Sequence, residues 1–526
     1  MPDESTGKTA EEEFSVSAES EIPFPPRLAV GGGTPLLIGG WCRPNTRGES
    51  IEKIAISIDG LRSRAMSFGL PRKDVYRKAV SAGATGRDSL EAFKSGFAAI
   101  AEVPSRAAGK TVPVEVIATS HSGHEAAIRL GDLRLEPDPL PGPEVEWPEG
   151  EGGPRVAVCM ATYSPDPDLF ERQIESLKSQ THRNWLCFIS DDEATSRSLE
   201  LIEQTIGGDP RFMVSQVGRR LGFYSNFERA LEMVPESADL IALADQDDRW
   251  NADKLSSLIG AVSSPGTTLA YSDARIVAED GSVIHPSYWS LGRRNNHTNL
   301  ASLIIANTIT GAASIFKPEV LRLALPFPHT PVNSFHDHWI ACVALAIGEI
   351  AYVDRPLYDY VQHGEAVIGF ELAMDGVDKA KARPFRSFIA TLRDTAGPRS
   401  SDPARISEIR FLPMNYYFGS TEMIVLAAAV RIRCGERMSR AKLRAVRRLE
   451  TADTSTLSFL YLLARRFRRF VGLDETIDIE RTRAKGLLWR RVIQVRSRLV
   501  RNPDRIVSDA RIPMLEQARP EEAARL

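Results

Sequence analysis

Three carboxylates stand within four residues, at Asp245, Asp247 and Asp248, directly after the apolar run Leu240–Ala244. Like charges this close repel one another unless a cation lies among them. Asp245 and Asp247, two positions apart, have the spacing to share one divalent ion, Mg²⁺ or Mn²⁺. The same residue types also favour the start of a helix, and a helical pattern follows Trp250. This stretch alone therefore leaves both readings open.

The elements that would position such a cluster can be read on either side of it. From residue 155 the chain alternates strand-like and helix-like segments, the signature of an α/β sheet. The run 156–160 leads to Thr162-Tyr163, the run 185–189 ends at Asp191-Asp192, and Leu240–Ala244 ends at the acids. Ligands on open α/β sheets bind at the carboxyl ends of the strands, so three polar strand ends are expected to face one site. No GxGxxG or P-loop pattern opens these units, which argues against a dinucleotide or kinase-type site.

Five regions follow from the composition along the chain. Residues 1–25 are acidic and poor in large apolar groups, which predicts a disordered tail. Residues 26–135 carry short alternating segments, among them Ile54, Ile56 and Ile58 before Asp59-Gly60, and predict a β-sandwich accessory domain. Residues 136–154 are dense in Pro, Gly and Glu and predict a stiff, solvated linker. Residues 155–371 form the α/β domain. Residues 372–526 predict a basic helical region, because from residue 381 onward there are 31 Lys and Arg against 16 Asp and Glu. Within it, 412–430 and 455–470 read as helices. In the second, Leu460, Leu463, Phe467 and Phe470 are expected on one side and Arg465, Arg466, Arg468 and Arg469 on its flank. Such a helix suits an anionic membrane surface, or equally a solvated face whose apolar side covers the α/β domain.

The motifs VAVCMATYSPD, SLKSQTHRNW, ISDDEA, LGFYSNFERAL, LADQDDRWNADKL and YVQHGEAVIG occur in this order across about 155–369. In order and spacing they resemble inverting family-2 glycosyltransferases with the GT-A fold, nearest to a bacterial rhamnosyltransferase-like branch. The resemblance implies a role for each matching residue. Thr162 and Tyr163 would receive the nucleotide base, although Ser164 stands where the family often has Asn. Asp192 would accept from the base imide, Asp245 would lie near the ribose and sugar hydroxyls, and Asp247 would hold the metal. Asp337, two residues before Trp339, matches the catalytic base. A carboxylate is a weak base, so the site must raise its pKa. His363 would reach the metal or diphosphate, or serve as a structural loop histidine. Thr310 and Gly311 would line the acceptor side, since Gly permits close approach of the backbone. Arg219 and Arg220 could meet phosphate.

The implied activity is metal-dependent transfer of a sugar, with rhamnose the first guess. The donor would be a dTDP- or UDP-sugar and the acceptor a glycan or lipid-linked glycan in cell-surface polysaccharide assembly. A nucleotidyltransferase and a non-catalytic glycan-binding scaffold are the alternatives. The net charge of −3 points to no nucleic-acid partner. Five scattered cysteines without a CxxC pair suit a reducing compartment. The N-terminal residues read as no signal peptide, and no long apolar run is present. The expected location is cytoplasmic, with peripheral contact at the inner face of the plasma membrane.

Overall fold

The computed structural model describes residues 14–46, 48–137, 142–148, 151–193, 195–291, 297–329, 335–362, 415–465, 467–468, 476, 479–501 and 503. Its N-terminal part has nine strands: β1 (Val16–Ser20), β2 (Leu28–Ala29), β3 (Thr34–Pro44), β4 (Ile51–Ile58), β5 (Leu61–Arg64), β6 (Ser67–Leu70), β7 (Gly96–Val103), β8 (Thr111–Ser120) and β9 (Glu125–Glu136). They form two sheets, ordered β1-β3-β7-β6 and β2-β9-β8-β4-β5. The inward residues of both sheets, Ile38, Ile54, Ile56, Phe97 and Val116 among them, make one apolar core. Helices α1 (Lys73–Ser81) and α2 (Gly86–Phe93) interrupt the strands and carry a small core of their own.

Two sequence expectations change here. The tail expected to be disordered over 1–25 contains β1, which pairs antiparallel with β3 in the register Val16↔Pro44. Phe14 and Val16 are buried in the sandwich, and that burial outweighs the acidic composition around them. Residues 1–13 lie outside the described residues. The expected solvated linker, 136–154, is instead docked where it is described. Gly142 bridges Pro235, the Trp147 indole donates to Ser237 Oγ at 2.9 Å, and Val145 and Trp147 pack against the main core.

The α/β part adds β10 (Val156–Thr162), α3 (Pro167–Lys178), β11 (Trp185–Asp191), α4 (Ser196–Ile206), β12 (Phe212–Gln216), α5 (Phe223–Glu232), β13 (Leu240–Ala244), β14 (Arg249–Trp250), α6 (Lys254–Val262), β15 (Thr267–Ala278), β16 (Val283–His285), α7 (Leu300–Ile305), β17 (Ser314–Phe316), α8 (Pro318–Ala324), α9 (His336–Ile347) and β18 (Glu349–Gln362). The sheet runs β12-β11-β10-β13-β17-β15-β18-β14, with β16 on β15. The first four strands are parallel, so their carboxyl ends lie side by side. Central parallel strands are covered on both faces, which is why β10 and β13 read as unbroken apolar runs and why all five residues of β13 are buried. This is a mixed α/β, GT-A-like sheet.

Among the described residues four helices follow: α10 (Thr421–Cys434), α11 (Arg440–Glu450), α12 (Thr456–Arg465) and α13 (Ile479–Leu499). Met423, Val430, Leu449, Leu462 and Trp489 belong to the same apolar cluster as the large sheet. The helix expected over 412–430 begins in the described residues at Asn415, and 412–414 lie outside them. In the helix expected over 455–470, the side that carries Leu460 is turned outward and does not cover the α/β domain. Ser458, Phe459, Leu462 and Arg465 point inward, while Leu460 is exposed and Leu463 is half-buried. Arg466, Arg469 and Phe470 lie outside the described residues. The helix is apolar on both sides, so periodicity could not tell which side the core would take.

Candidate active site

The acid turn follows β13 and is fastened from three directions. The Gln246 amide donates to Tyr163 O at 3.1 Å and accepts from Tyr163 N–H at 2.8 Å, which joins the turn to the end of β10. Gln173 of α3 donates to Asp245 O at 2.9 Å. Trp250 N–H donates to Ser176 Oγ at 3.1 Å. Sequence reasoning passed over these glutamines because their partners are main-chain atoms about 70 to 80 residues away.

Asp245, Asp247 and Asp248 sit together on this turn. Burial, then Asp247 and then Asp337, push the Asp245 carboxyl up to about 7. Asp248 is buried, and burial followed by Asp245 and Asp247 raises it well above its ordinary value, against the pull of Lys254 and of the Val361 N–H. The compensating charge is Lys254 at the start of α6, which is fully buried. Its ammonium lies 3.3 Å from the Trp250 ring centroid and 4.8 Å from that of Tyr358, and donates to Ala312 O. Burial pulls Lys254 well below its usual pKa, against the pull of Asp248 and Asp245. Lys254 offsets part of the charge of Asp245 and Asp248, and burial still leaves both carboxyls raised. Carboxylate oxygens are the donors that hard divalent cations prefer. Asp245 and Asp247 fit as ligands of Mg²⁺ or Mn²⁺. Among the described residues, no group of three or more His, Cys, Asp or Glu side chains is placed to hold a metal ion by itself. His363, the other expected ligand, lies outside the described residues.

Asp337 stands in the first turn of α9, close enough to Asp245 for the two charges to interact. Its Oδ1 accepts from the Asn307 amide at 3.1 Å and from His338 N–H at 2.6 Å, and its Oδ2 accepts from Gly311 N–H at 3.2 Å. Burial pushes this carboxyl up to about 6, against the pull of those donors. The neighbouring histidines are core residues. His336 stacks on Phe227 with centroids 3.7 Å apart, and burial lowers it to about 3. His338 meets Leu303 O at 2.7 Å, and burial lowers it to about 4.

Thr310 and Gly311 lie beside Asp337. The Thr310 hydroxyl meets the Tyr358 hydroxyl at 3.0 Å. A Cβ on Gly311 would stand 2.8 Å from His336 Nε2, so glycine is required there by the protein's own packing.

On the other flank, Thr162 Oγ1 donates to Asp191 Oδ1 at 2.9 Å, which fixes the end of β10. Asp192 is buried, and its two oxygens accept from Leu221 N–H at 2.5 Å and Gly222 N–H at 2.8 Å. Each oxygen keeps one further lone pair for a ligand donor. Tyr163 is exposed, with the Arg220 guanidinium 4.1 Å from its ring centroid. Ser164, next in the chain, has φ +44°, in the left-handed region that Gly and Asn tolerate best.

The structure therefore brings Asp245, Asp247, Asp337, Thr310 and Gly311 together, with Thr162, Tyr163 and Asp192 on the adjoining strand ends. Two well-formed cavities lie elsewhere. One of about 480 Å³ is between the sandwich and helices α10, α11 and α13, and one of about 430 Å³ is between α7, α11 and α12.

Residues 157–322 match the family model for glycosyl transferase family 2, so the chain carries such a domain. The match stops before Asp337. A putative teichuronic acid biosynthesis glycosyltransferase, TuaG of Bacillus subtilis, is 26% identical over 128 residues, covering 24% of this chain and 50% of that protein. The dTDP-rhamnosyl transferase RfbG of Shigella flexneri is 26% identical over 228 residues, covering 41% of this chain and 75% of that protein. The chain spans only 14% and 50% of the length of the first two curated relatives that it matches. A crystal structure of Staphylococcus aureus TarS with UDP-GlcNAc is similar at a TM-score of 0.33 and 15% identity, over 62% of this chain and 91% of that one.

Proposed function

We propose that this chain is an inverting, metal-dependent glycosyltransferase. It would transfer a sugar from a pyrimidine nucleoside diphosphate to a hydroxyl of a glycan or lipid-linked acceptor. The observation that carries the reading is Asp337: a carboxyl raised to about 6 and held in place by three donors within charge range of the acid turn. A general base works best when its pKa lies near the operating pH, and an ordinary Asp lies well below it.

In this reading Asp337 takes the proton of the acceptor hydroxyl as its oxygen forms a bond to the anomeric carbon. The bond from that carbon to the nucleoside diphosphate breaks on the opposite face, and the diphosphate leaves with the electron pair. A divalent ion at Asp245 and Asp247 would offset the charge gathering on the leaving group. Gln246 and Gln173 hold the turn that carries those acids, and Lys254 keeps the turn from flying apart. Tyr163 and Asp192 are assigned to the base, with Arg220 free to move toward phosphate as the base takes the Tyr163 ring. Rhamnose as the sugar and thymine as the base are the finer assignments, supported by the likeness to RfbG over 41% of this chain.

Release of nucleoside diphosphate from a panel of dTDP- and UDP-sugars, with Mg²⁺ or Mn²⁺, tests the reading. Turnover should need the metal and fall in Asp247→Ala and Asp337→Asn. Release of pyrophosphate from a nucleoside triphosphate would replace it with the nucleotidyltransferase.

A further inference from the structure

Helix α12 is apolar on the side that faces water. Leu457 is 80% exposed and Leu460 51%, and Ala464 is exposed as well. Their spacing of three and four places them on one helix face, and Phe467, 61% exposed, continues the line beyond the helix end. Exposed Leu residues scattered singly are ordinary, but a stripe along one helix is not. The opposite face is already used: Phe459 and Leu462 enter the core, and Arg465 turns inward to bond Ser302.

Beside the stripe stands a second, independent feature. Helix α11 turns Arg440, Arg444, Arg447 and Arg448 to solvent, and no acid lies on that exposed face. Glu450, at its end, is bound to Arg431 at 2.8 Å. The Arg448 guanidinium lies 4.8 Å from the ring centroid of Tyr461 on α12, so the basic and apolar faces adjoin. The cavity of about 430 Å³ opens between the same two helices, lined by Lys442, Tyr461, Arg465 and Arg468. Among the described residues no helix is long and apolar enough to cross a membrane.

We propose that the α11–α12 face docks on the surface of an anionic phospholipid bilayer. The Leu457/Leu460/Ala464 stripe enters the acyl boundary and the α11 arginines meet lipid phosphates. Apolar residues flanked by arginine are what an in-plane interfacial helix needs, and charge complementarity selects the anionic surface. A water-soluble partner protein would gain little from four unpaired-by-acid arginines around the stripe. The proposal is independent of the transferase reading, because docking requires neither donor nor metal.

The test is sedimentation of the full-length chain with vesicles of mixed phosphatidylglycerol and phosphatidylcholine, against phosphatidylcholine alone, without donor. Binding should favour the anionic vesicles and weaken at high salt. The exposed double substitution Leu457→Ser/Leu460→Ser should weaken it about tenfold or more. Arg444→Gln/Arg447→Gln should weaken it about tenfold on anionic vesicles, with an unchanged melting curve. No binding by the unmodified chain, equal binding to both vesicle types, or variants that bind as well as the parent would overturn the proposal. So would a concentration-dependent dimer abolished by Leu457→Ser/Leu460→Ser, because a second copy would then cover the stripe.

Discussion

Buried charge is handled in opposite ways at two places in this molecule. In the helical region two buried charges, Asp453 and Arg433, are completed by the chain itself. Asp453 accepts from Tyr416 Oη at 3.0 Å and from Arg490 Nε at 2.8 Å, with the Asp453 and Arg490 side chains 1% and 4% exposed. Arg433 donates to Val30, Gly33, Leu323, Leu325 and Pro326 carbonyls, and so ties the sandwich and the α8 loop to α10. At the acid turn, Asp245 and Asp248 share the buried Lys254, and burial still raises both carboxyls. A charge that the chain satisfies is architecture. Carboxyls raised by burial at the carboxyl ends of parallel strands mark a candidate site.

The sharpest way to test this contrast is to neutralise one member of each set. Asp337→Asn should lower turnover by about 10²–10⁴-fold, the range for losing a general base. The fold should hold, because a desolvated negative charge near Asp245 is removed. Arg490→Met should do the reverse to stability. Leaving Asp453 buried without its cation should cost about 3–5 kcal/mol by urea unfolding. If Arg490→Met melts like the parent, or Asp337→Asn unfolds, the contrast fails.

A ligand should also discriminate the two places. With Mn²⁺ at about 100 times its Kd, unfolding should become harder by about 2.7 kcal/mol through mass action. Asp247→Ala should lose that shift, whereas a substitution at Arg431 should keep it. A metal shift that survives Asp247→Ala would move the ion elsewhere.

pH gives a smaller effect with a definite sign. Asp337 must be ionised to act as a base, and its carboxyl is raised to about 6. Turnover should fall about tenfold for each unit below that value and level off above it. The residual activity of Asp337→Asn should lack this limb. A profile flat from pH 5 to 8 would remove Asp337 from the base role.

The sequence carried much of the site and less of its support. The strand ends were legible because buried parallel strands are unbroken apolar runs, so the polar residues after Ala244 and Met160 stand out. Lys254 was not, because a lysine at a helix start looks like any solvated cation until the fold buries it. Arg433 and Arg490 were hidden for a related reason: the carbonyls that satisfy Arg433 in the sandwich are about 400 residues away in the chain. Whether the Leu460 and Phe467 side of the helix over 455–470 faces outward or covers the α/β domain stays open in the sequence, because both faces are apolar and only the position of the sheet decides between them.

The smallest predicted effect concerns Ser164, and it asks whether local strain belongs to the site or only surrounds it. A non-glycine residue at φ +44° sits in a region that costs an ordinary L-residue about 1–2 kcal/mol. Ser164→Gly removes the steric part of that cost but adds freedom to the unfolded chain, so the net gain should be under about 1 kcal/mol. Ser164→Asn, tolerated in the same region, should gain less. Both should leave the donor KM nearly unchanged if the turn merely follows β10. If instead the turn positions Tyr163 for the base, Ser164→Gly should raise the donor KM while thermal stability improves, because a looser turn aims the ring less well. A raised KM together with improved stability would place Ser164 with the acid turn, as a local cost kept for function, and an unchanged KM would place it with Asp453 and Arg433.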